Sequence, residues 1–269
     1  MEQAAAMIAR LNYYWRLVAT GGCFAAFGFG GLALSTFVFP VLLLTPRETR
    51  TVRARWLIHK SFGLFMGMME FVGIMRMEVN GAEKLRNCRN MLVLASHPTL
   101  IDVVALISLM PGANCVVKRA LWNNPFLAGV VRAANYVSNS DPEHMIDDCA
   151  AVLDDGSPLI IFPEGTRTAP GKPLHFLRGA AYIALKSGAP VLPVVIHCTP
   201  STLTKRERWY QIPSRRYQLR VDVLDPLPCS RWISADEPQT VAARKLTRML
   251  ESHFTQEIET HGRFANAQA

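Results

Sequence analysis

The chain has 269 residues, 50% of them hydrophobic and 19% charged, with a formal net charge of +8. That is enough for one large α/β domain plus an attachment element; it is too polar for a multi-span transporter and apolar for a freely soluble enzyme. The basic excess suits a phospholipid surface, a phosphate-bearing ligand or nucleic acid. Zinc-finger spacing and RNA-recognition aromatics are both missing from the sequence, so no nucleic-acid partner is expected.

In chain order, Met1 to Arg16 form a polar-to-amphipathic lead, and no charge occurs from Leu17 to Leu44. That run is long enough to span a bilayer. It also holds Gly21, Gly22, Gly28, Gly30, Gly31 and Pro40, so a re-entrant hairpin is an equal alternative. Arg47, Arg50, Arg53, Arg55 and Lys60 follow it. This bias places the main domain on the cytoplasmic side, at a bacterial inner membrane. Thr51 to Met77 reads as a methionine-rich helix, either interfacial with its basic residues at headgroup level or an ordinary core helix.

From Met77 the pattern alternates. Strands are expected at Met77–Asn80 (with a turn at Gly81), Met91–Ala95, Asn114–Val117, Leu159–Phe162, Val191–His197 (broken early by Pro193) and Tyr217–Leu224 near a sheet edge. Helices are expected at Ile101–Met110, Pro125–Ala134, Met145–Asp154, Phe176–Lys186 and Pro238–Glu257, with a frayed tail after His261. The reading is therefore α/β: a mostly parallel or mixed sheet flanked by helices, behind a hydrophobic membrane-docking helical segment. Residues 1–77 form the attachment part and 78–269 the α/β domain. The six cysteines are scattered without a C-x-x-C pair, as expected of unpaired thiols in a reducing compartment.

Three stretches carry ionisable groups directly after strands, where open α/β sheets place ligands. His97 follows the MLVLA strand, and Asp102 lies five residues on, in the first turns of a helix. A carboxylate there can orient the imidazole, which then takes a proton from a hydroxyl; the alternative is helix capping. Glu164, Gly165, Thr166 and Arg167 follow the LIIF strand. Gly165 permits close backbone approach to a ligand, and Arg167 can grip a phosphate or carboxylate in a forked geometry. The alternative is a surface turn with an ordinary Glu–Arg pair. Lys118 and Arg119 follow a third strand, either to meet a phosphate or headgroup or as a solvated basic face. The apolar Val191–Val195 stretch can only shape a wall. No metal-ligand cluster occurs in the sequence, and no G-x-S-x-G elbow, which argues against a serine nucleophile.

Together these stretches resemble the glycerolipid acyltransferase family, which contains the 1-acylglycerol-3-phosphate acyltransferases. The H-x-x-x-x-D block matches at His97 and Asp102. F-P-E-G-T-R matches at Phe162 to Arg167, and the proline-containing apolar block at Val191 to Val195. The resemblance implies a catalytic dyad of His97 and Asp102 and an acceptor-binding role for Glu164, Gly165, Thr166 and Arg167. It also implies acyl transfer from acyl-CoA or acyl-carrier protein to a membrane lipid hydroxyl, without a cofactor. One block departs. Members acting on lysophosphatidic acid carry an F-I-D-R-like stretch, but Asn135 to Asp141 holds no arginine, and Arg132 lies upstream. The acceptor is therefore a lysophospholipid or, by the same chemistry, a specialised non-glycerophosphate lipid. The non-enzymatic alternative is a membrane lipid-binding protein.

Overall fold

The most apolar strands lie at the centre of the sheet. The computed structural model describes residues 2–124, 127–169, 171–229 and 237–267. Its strands are β1 (Met75–Asn80), β2 (Leu92–Ala95), β3 (Asn114–Val117), β4 (Val137–Ser138), β5 (Leu159–Ile161), β6 (Val191–Thr199) and β7 (Tyr217–Val223). They form one sheet in the order β1-β7-β6-β2-β5-β3-β4. Every neighbouring pair is parallel except β6 with β7.

Every residue of β2 and β5 is buried, because helices cover both faces. Alternate side chains enter two different cores. Val93, Ala95, Ile160, Leu192 and Val194 face the core shared with α3 (Arg47–Phe71), α5 (Asp102–Leu109) and α7 (Ala128–Ala134). Leu92, Leu94, Leu159, Ile161 and Val191 face the core shared with α8 (Pro142–Asp154), α9 (Gly179–Ser187) and α10 (Gln239–Ala267). Two short helices, α4 (Ala82–Arg86) and α6 (Arg119–Trp122), lie in connections.

Pro193 does not break β6, contrary to the sequence expectation. Val191 exchanges hydrogen bonds with Leu227, and the Pro193 carbonyl accepts from Leu224 N–H, both on the β7 side. Pairing with β7 begins only at Val194–Val223, so the missing proline N–H falls at the end of that ladder, where one bond is lost without interrupting the strand.

The glycine-rich run does not fold back on itself. Helix α1 (Glu2–Ala33) passes through a π-helical stretch, Leu34–Val38, into α2 (Phe39–Leu43). The wider π turn just before Pro40 accommodates the proline ring without ending the helix. Ala6–Leu43 is long and apolar enough to cross a membrane. Reversal comes at Leu44–Pro46, and α3 returns antiparallel to α1. Phe24 and Phe27 meet Phe65 and Phe62, while Trp15 Nε1 donates to Val72 O at 3.0 Å.

Helix α3 also departs from its expected bounds. It ends in a Schellman motif at Gly73 (φ +78°), with Gly73 N–H on Glu70 O and Ile74 N–H on Met69 O. The residues from Met75 onward are then strand, so position 77 falls inside β1. Helix α3 buries one face and exposes apolar side chains on another. Ala54, Ile58, Phe65, Met66 and Met69 are buried, while Val52, Trp56, Leu64 and Phe71 are exposed. Arg55 does not sit at headgroup level. It is buried and donates to Ala134 O, Gly112 O and Ser157 Oγ, satisfying carbonyls that two loops leave open.

Other differences are local. β4 and α6 were not anticipated. Of the helix expected from Pro125, α7 begins at Ala128, and Pro125 and Phe126 lie outside the described residues. The backbone of α10 stays helical to Ala267 rather than fraying after His261.

Candidate active site

Strand register determines which loop residues meet. Leu94 of β2 stands level with Ile161 of β5 in a parallel pair. Three residues beyond each, His97 and Glu164 therefore emerge side by side at the C-terminal edge of the sheet. The His97 backbone N–H donates to Glu164 Oε1 at 2.8 Å. Thr168 N–H closes the return contact to His97 O at 3.0 Å. The Phe162 ring stacks on the imidazole, with centroids 4.2 Å apart. Ser96 is fastened on the other side, where its Oγ accepts from Ile196 N–H of β6 at 2.8 Å.

Asp102 lies at the first residue of α5, against the imidazole. Its Oδ2 lies 2.8 Å from His97 Nδ1. The same carboxylate accepts from Thr99 N–H at 2.7 Å and from the Thr99 hydroxyl, which fixes it to the turn that leads into α5. A carboxylate only accepts, so the proton of that pair belongs on Nδ1, and Nε2 becomes the basic nitrogen. Asp102 is fully buried, and the His97 side chain is 19% exposed. Burial pushes the Asp102 carboxyl up from the usual carboxylate range, and the bonds from His97 and Thr99 oppose it. Burial likewise pushes the Glu164 carboxyl up, opposed by the Thr168 hydroxyl and the His97 amide.

The remaining sequence candidates divide. Gly165 sits at φ +65°, and a Cβ there would lie 2.6 Å from Leu177 Cδ1. Backbone handedness and Leu177 account for the glycine without a ligand. Arg167 Nη1 donates to Leu203 O at 2.9 Å and to Thr204 O at 3.0 Å, so part of its fork fastens the loop after β6. Thr166 is half-buried in the same turn. Lys118 and Arg119 are exposed at the end of β3, on the same sheet edge with β5 between them and β2. The Arg119 N–H donates to Asn139 Oδ1 at 3.0 Å, just beyond β4. The exposed Arg132 lies on α7, away from that strand end in sequence.

A model of the family described as Acyltransferase matches residues 76–197, a span that holds the His97–Asp102 pair, the Phe162–Arg167 turn and β6. Over these residues the chain is similar to the glycerolipid acyltransferases. It is 27% identical over 240 residues to the 1-acyl-sn-glycerol-3-phosphate acyltransferase alpha of Ovis aries, covering 86% of this chain and 78% of that one. It is 25% identical over 221 residues to the beta enzyme of Homo sapiens, covering 79% and 75%. The fold is shared with the crystal structure of the 1-acyl-sn-glycerophosphate (LPA) acyltransferase PlsC from Thermotoga maritima. That likeness has a TM-score of 0.63 and 24% identity, over 91% of this chain and 97% of the other.

Two features of this acyltransferase escaped sequence reasoning. Thr99, buried to 1%, places two donors on Asp102; the signal was the T-x-x-D spacing, which looks like an ordinary cap. The loop after β6 meets the site through Leu203, whose carbonyl accepts from Leu100 N–H as well as from Arg167. No motif marks that contact, because a carbonyl acceptor has no residue preference.

Proposed function

We propose that this acyltransferase moves a fatty-acyl group from the thioester of acyl-CoA or acyl-carrier protein to the hydroxyl of a lysophospholipid. 1-Acylglycerol-3-phosphate, which the relatives' names specify, is the leading acceptor. The observation that carries the reading is the 2.8 Å contact between His97 Nδ1 and the buried Asp102 Oδ2. His97 Nε2 takes the proton of the acceptor hydroxyl as its oxygen attacks the thioester carbonyl. The tetrahedral oxyanion collapses, the carbon–sulfur bond breaks, and the imidazolium returns the proton to the leaving thiolate. Asp102 holds the ring orientation and stabilises its charged form. Glu164 acts on the base through the backbone, by holding the His97 amide.

Lys118 and Arg119 are the cations this chain offers to an acceptor phosphate. They lie beside Asn139, in the stretch where an arginine is absent. The same absence supports the second reading, acylation of a lipid without a glycerophosphate headgroup. The α1–α3 hairpin is the membrane element of this proposal. Met7, Leu11, Val18, Phe29, Phe37 and Leu44 are exposed on its first arm, and Val52, Trp56, Leu64 and Phe71 on its second. Exposed large apolar side chains gathered on one hairpin mark a membrane or protein contact. Arg47, Arg50 and Arg53 at the start of α3 support a cytoplasmic placement of the catalytic domain.

The test is acyl transfer by wild type and His97→Ala on a panel of labelled acyl donors and lipid acceptors, with mass spectrometry of the products. Wild type yields the acylated lipid, and His97→Ala loses on the order of 10²–10⁴-fold with unchanged thermal stability. Equal rates sink the dyad. Free fatty acid without acylated lipid sinks transferase chemistry in favour of hydrolysis.

A further inference from the structure

The loop between β6 and β7 carries a charge pattern that the mechanism does not use. Residues Thr204 to Arg216 contain Lys205, Arg206, Arg208, Arg215 and Arg216 against one acid, Glu207. Glu207 is engaged within the loop, where its Oε2 accepts from Thr204 N–H at 2.9 Å. A second turn follows, in which Arg208 N–H donates to Gln211 Oε1 and Gln211 N–H to Arg208 O. The loop is therefore a built structure, and its cations are held outward. Arg216 is tied to Met75 O and Arg208 to the Tyr210 hydroxyl. Lys205, Arg206 and Arg215 are exposed.

The loop is seated on the membrane hairpin. Arg16 of α1 is 4% exposed and donates to Pro213 O and Ser214 O. One turn further along α1, a Cβ on Gly21 would come within 3.1 Å of the Trp209 ring, so the glycine lets the indole lie against the helix. Trp209 and Tyr210 remain 48% and 42% exposed. Aromatic rings flanked by free cations, beside an exposed apolar helix face, match the composition of a headgroup-level contact. Glycine at position 21 and the buried Arg16 would have no need to seat a loop whose cations merely faced water.

We propose that the Thr204–Arg216 loop is an anionic-phospholipid contact, continuous with the apolar hairpin. It would add charge-dependent affinity to the attachment that the hairpin, with its own cations, provides. The proposal rests on the membrane reading of that hairpin. A cation at an anionic bilayer surface contributes roughly fivefold to partitioning, so three of them contribute about a hundredfold. The effect weakens with salt, because the screening length at physiological ionic strength is about 8 Å.

The test is vesicle flotation of the full chain on phosphatidylcholine, with and without phosphatidylglycerol. One variant combines Lys205→Gln, Arg206→Gln and Arg215→Gln. Another removes equal charge from the far face of the sheet, with Arg244→Gln, Lys245→Gln and Arg248→Gln on α10. Wild type and the α10 variant bind phosphatidylglycerol vesicles more tightly. The loop variant loses about a hundredfold of that gain, while binding phosphatidylcholine as wild type does and transferring acyl groups normally in uncharged detergent. A loop variant that keeps the gain, or an α10 variant that loses as much, overturns the proposal and leaves the hairpin reading standing. Wild type that floats with neither vesicle overturns both.

Discussion

Two groups of charged residues share one edge of the sheet and are built in opposite ways. Around His97, the acids Asp102 and Glu164 are buried, each with a named hydrogen-bond partner, and the imidazole is held by a ring stack. Two strands away, Lys118 and Arg119 are exposed and are tied down through their backbones, Lys118 O accepting from Leu121 N–H and Arg119 N–H donating to Asn139. The first group suits chemistry, because a fixed base needs no reorganisation as charge develops. The second suits binding of a mobile anionic headgroup, where long side chains can follow the ligand. The comparison predicts that changes in the first group act on turnover and changes in the second on affinity.

The largest effect is expected from Asp102→Asn. An amide has one acceptor oxygen, whereas Thr99 and His97 together place donors on both carboxylate oxygens. The amide nitrogen must therefore face a donor, and the imidazole tautomer is no longer held. Turnover falls by up to about 10⁴-fold, and stability falls by about 1–3 kcal/mol, read by steady-state kinetics and thermal melts. A variant with normal kcat breaks the first half of the comparison. Lys118→Gln with Arg119→Gln sharpens the second half. The KM for a phosphate-bearing acceptor should rise about tenfold, the scale of one charge-assisted contact, with kcat within about twofold. A fall in kcat with unchanged KM would place these cations in the chemistry instead.

Smaller effects separate structure from ligand binding in the turn after β5. Gly165→Ala meets a left-handed backbone costing about 1–2 kcal/mol and a close contact with Leu177. Melting temperature should fall while KM for the acceptor holds; a selective rise in KM would return Gly165 to the binding site. Glu164→Gln keeps an acceptor for the His97 amide but removes a buried charge. Burial raises the Glu164 pKa in the folded chain, so folding retains its proton more tightly than the unfolded chain does. Its contribution to stability is fully present below the unfolded value and is lost as pH rises through the folded one. The variant should therefore lose part of the decline in stability on the alkaline side of pH 4.5. An unchanged pH–stability curve would show that Glu164 is not the group responsible.

Much of the architecture is local and was legible for that reason. Short β-branched runs such as Leu159–Ile161 bury wherever they land, and the loops that follow them carry the charges. Element boundaries were read less well where a tertiary contact decides them. Gly73 ends α3 through a Schellman motif that the sequence could have shown, whereas the two-residue β4 exists only because β3 is there to pair with it. The glycines of α1 suggested a break, but a π-helical turn absorbs Pro40 and the helix continues.

Residue identity and spacing by themselves determined the α/β class, the long apolar helical segment at the N-terminus, and the positions of His97, Asp102 and the Glu164–Arg167 turn at strand ends, because strand ends and apolar periodicity are properties of short windows. Only the tertiary structure decided what those residues touch. Parallel register between β2 and β5 puts Glu164 on the His97 amide. The loop after β6 takes part of the Arg167 fork, and the end of α7 with the loops at Gly112 and Ser157 takes Arg55. Such pairings join positions scores of residues apart, and a hydrogen bond between them is a fact of where the sheet brings two loops together, which composition does not encode.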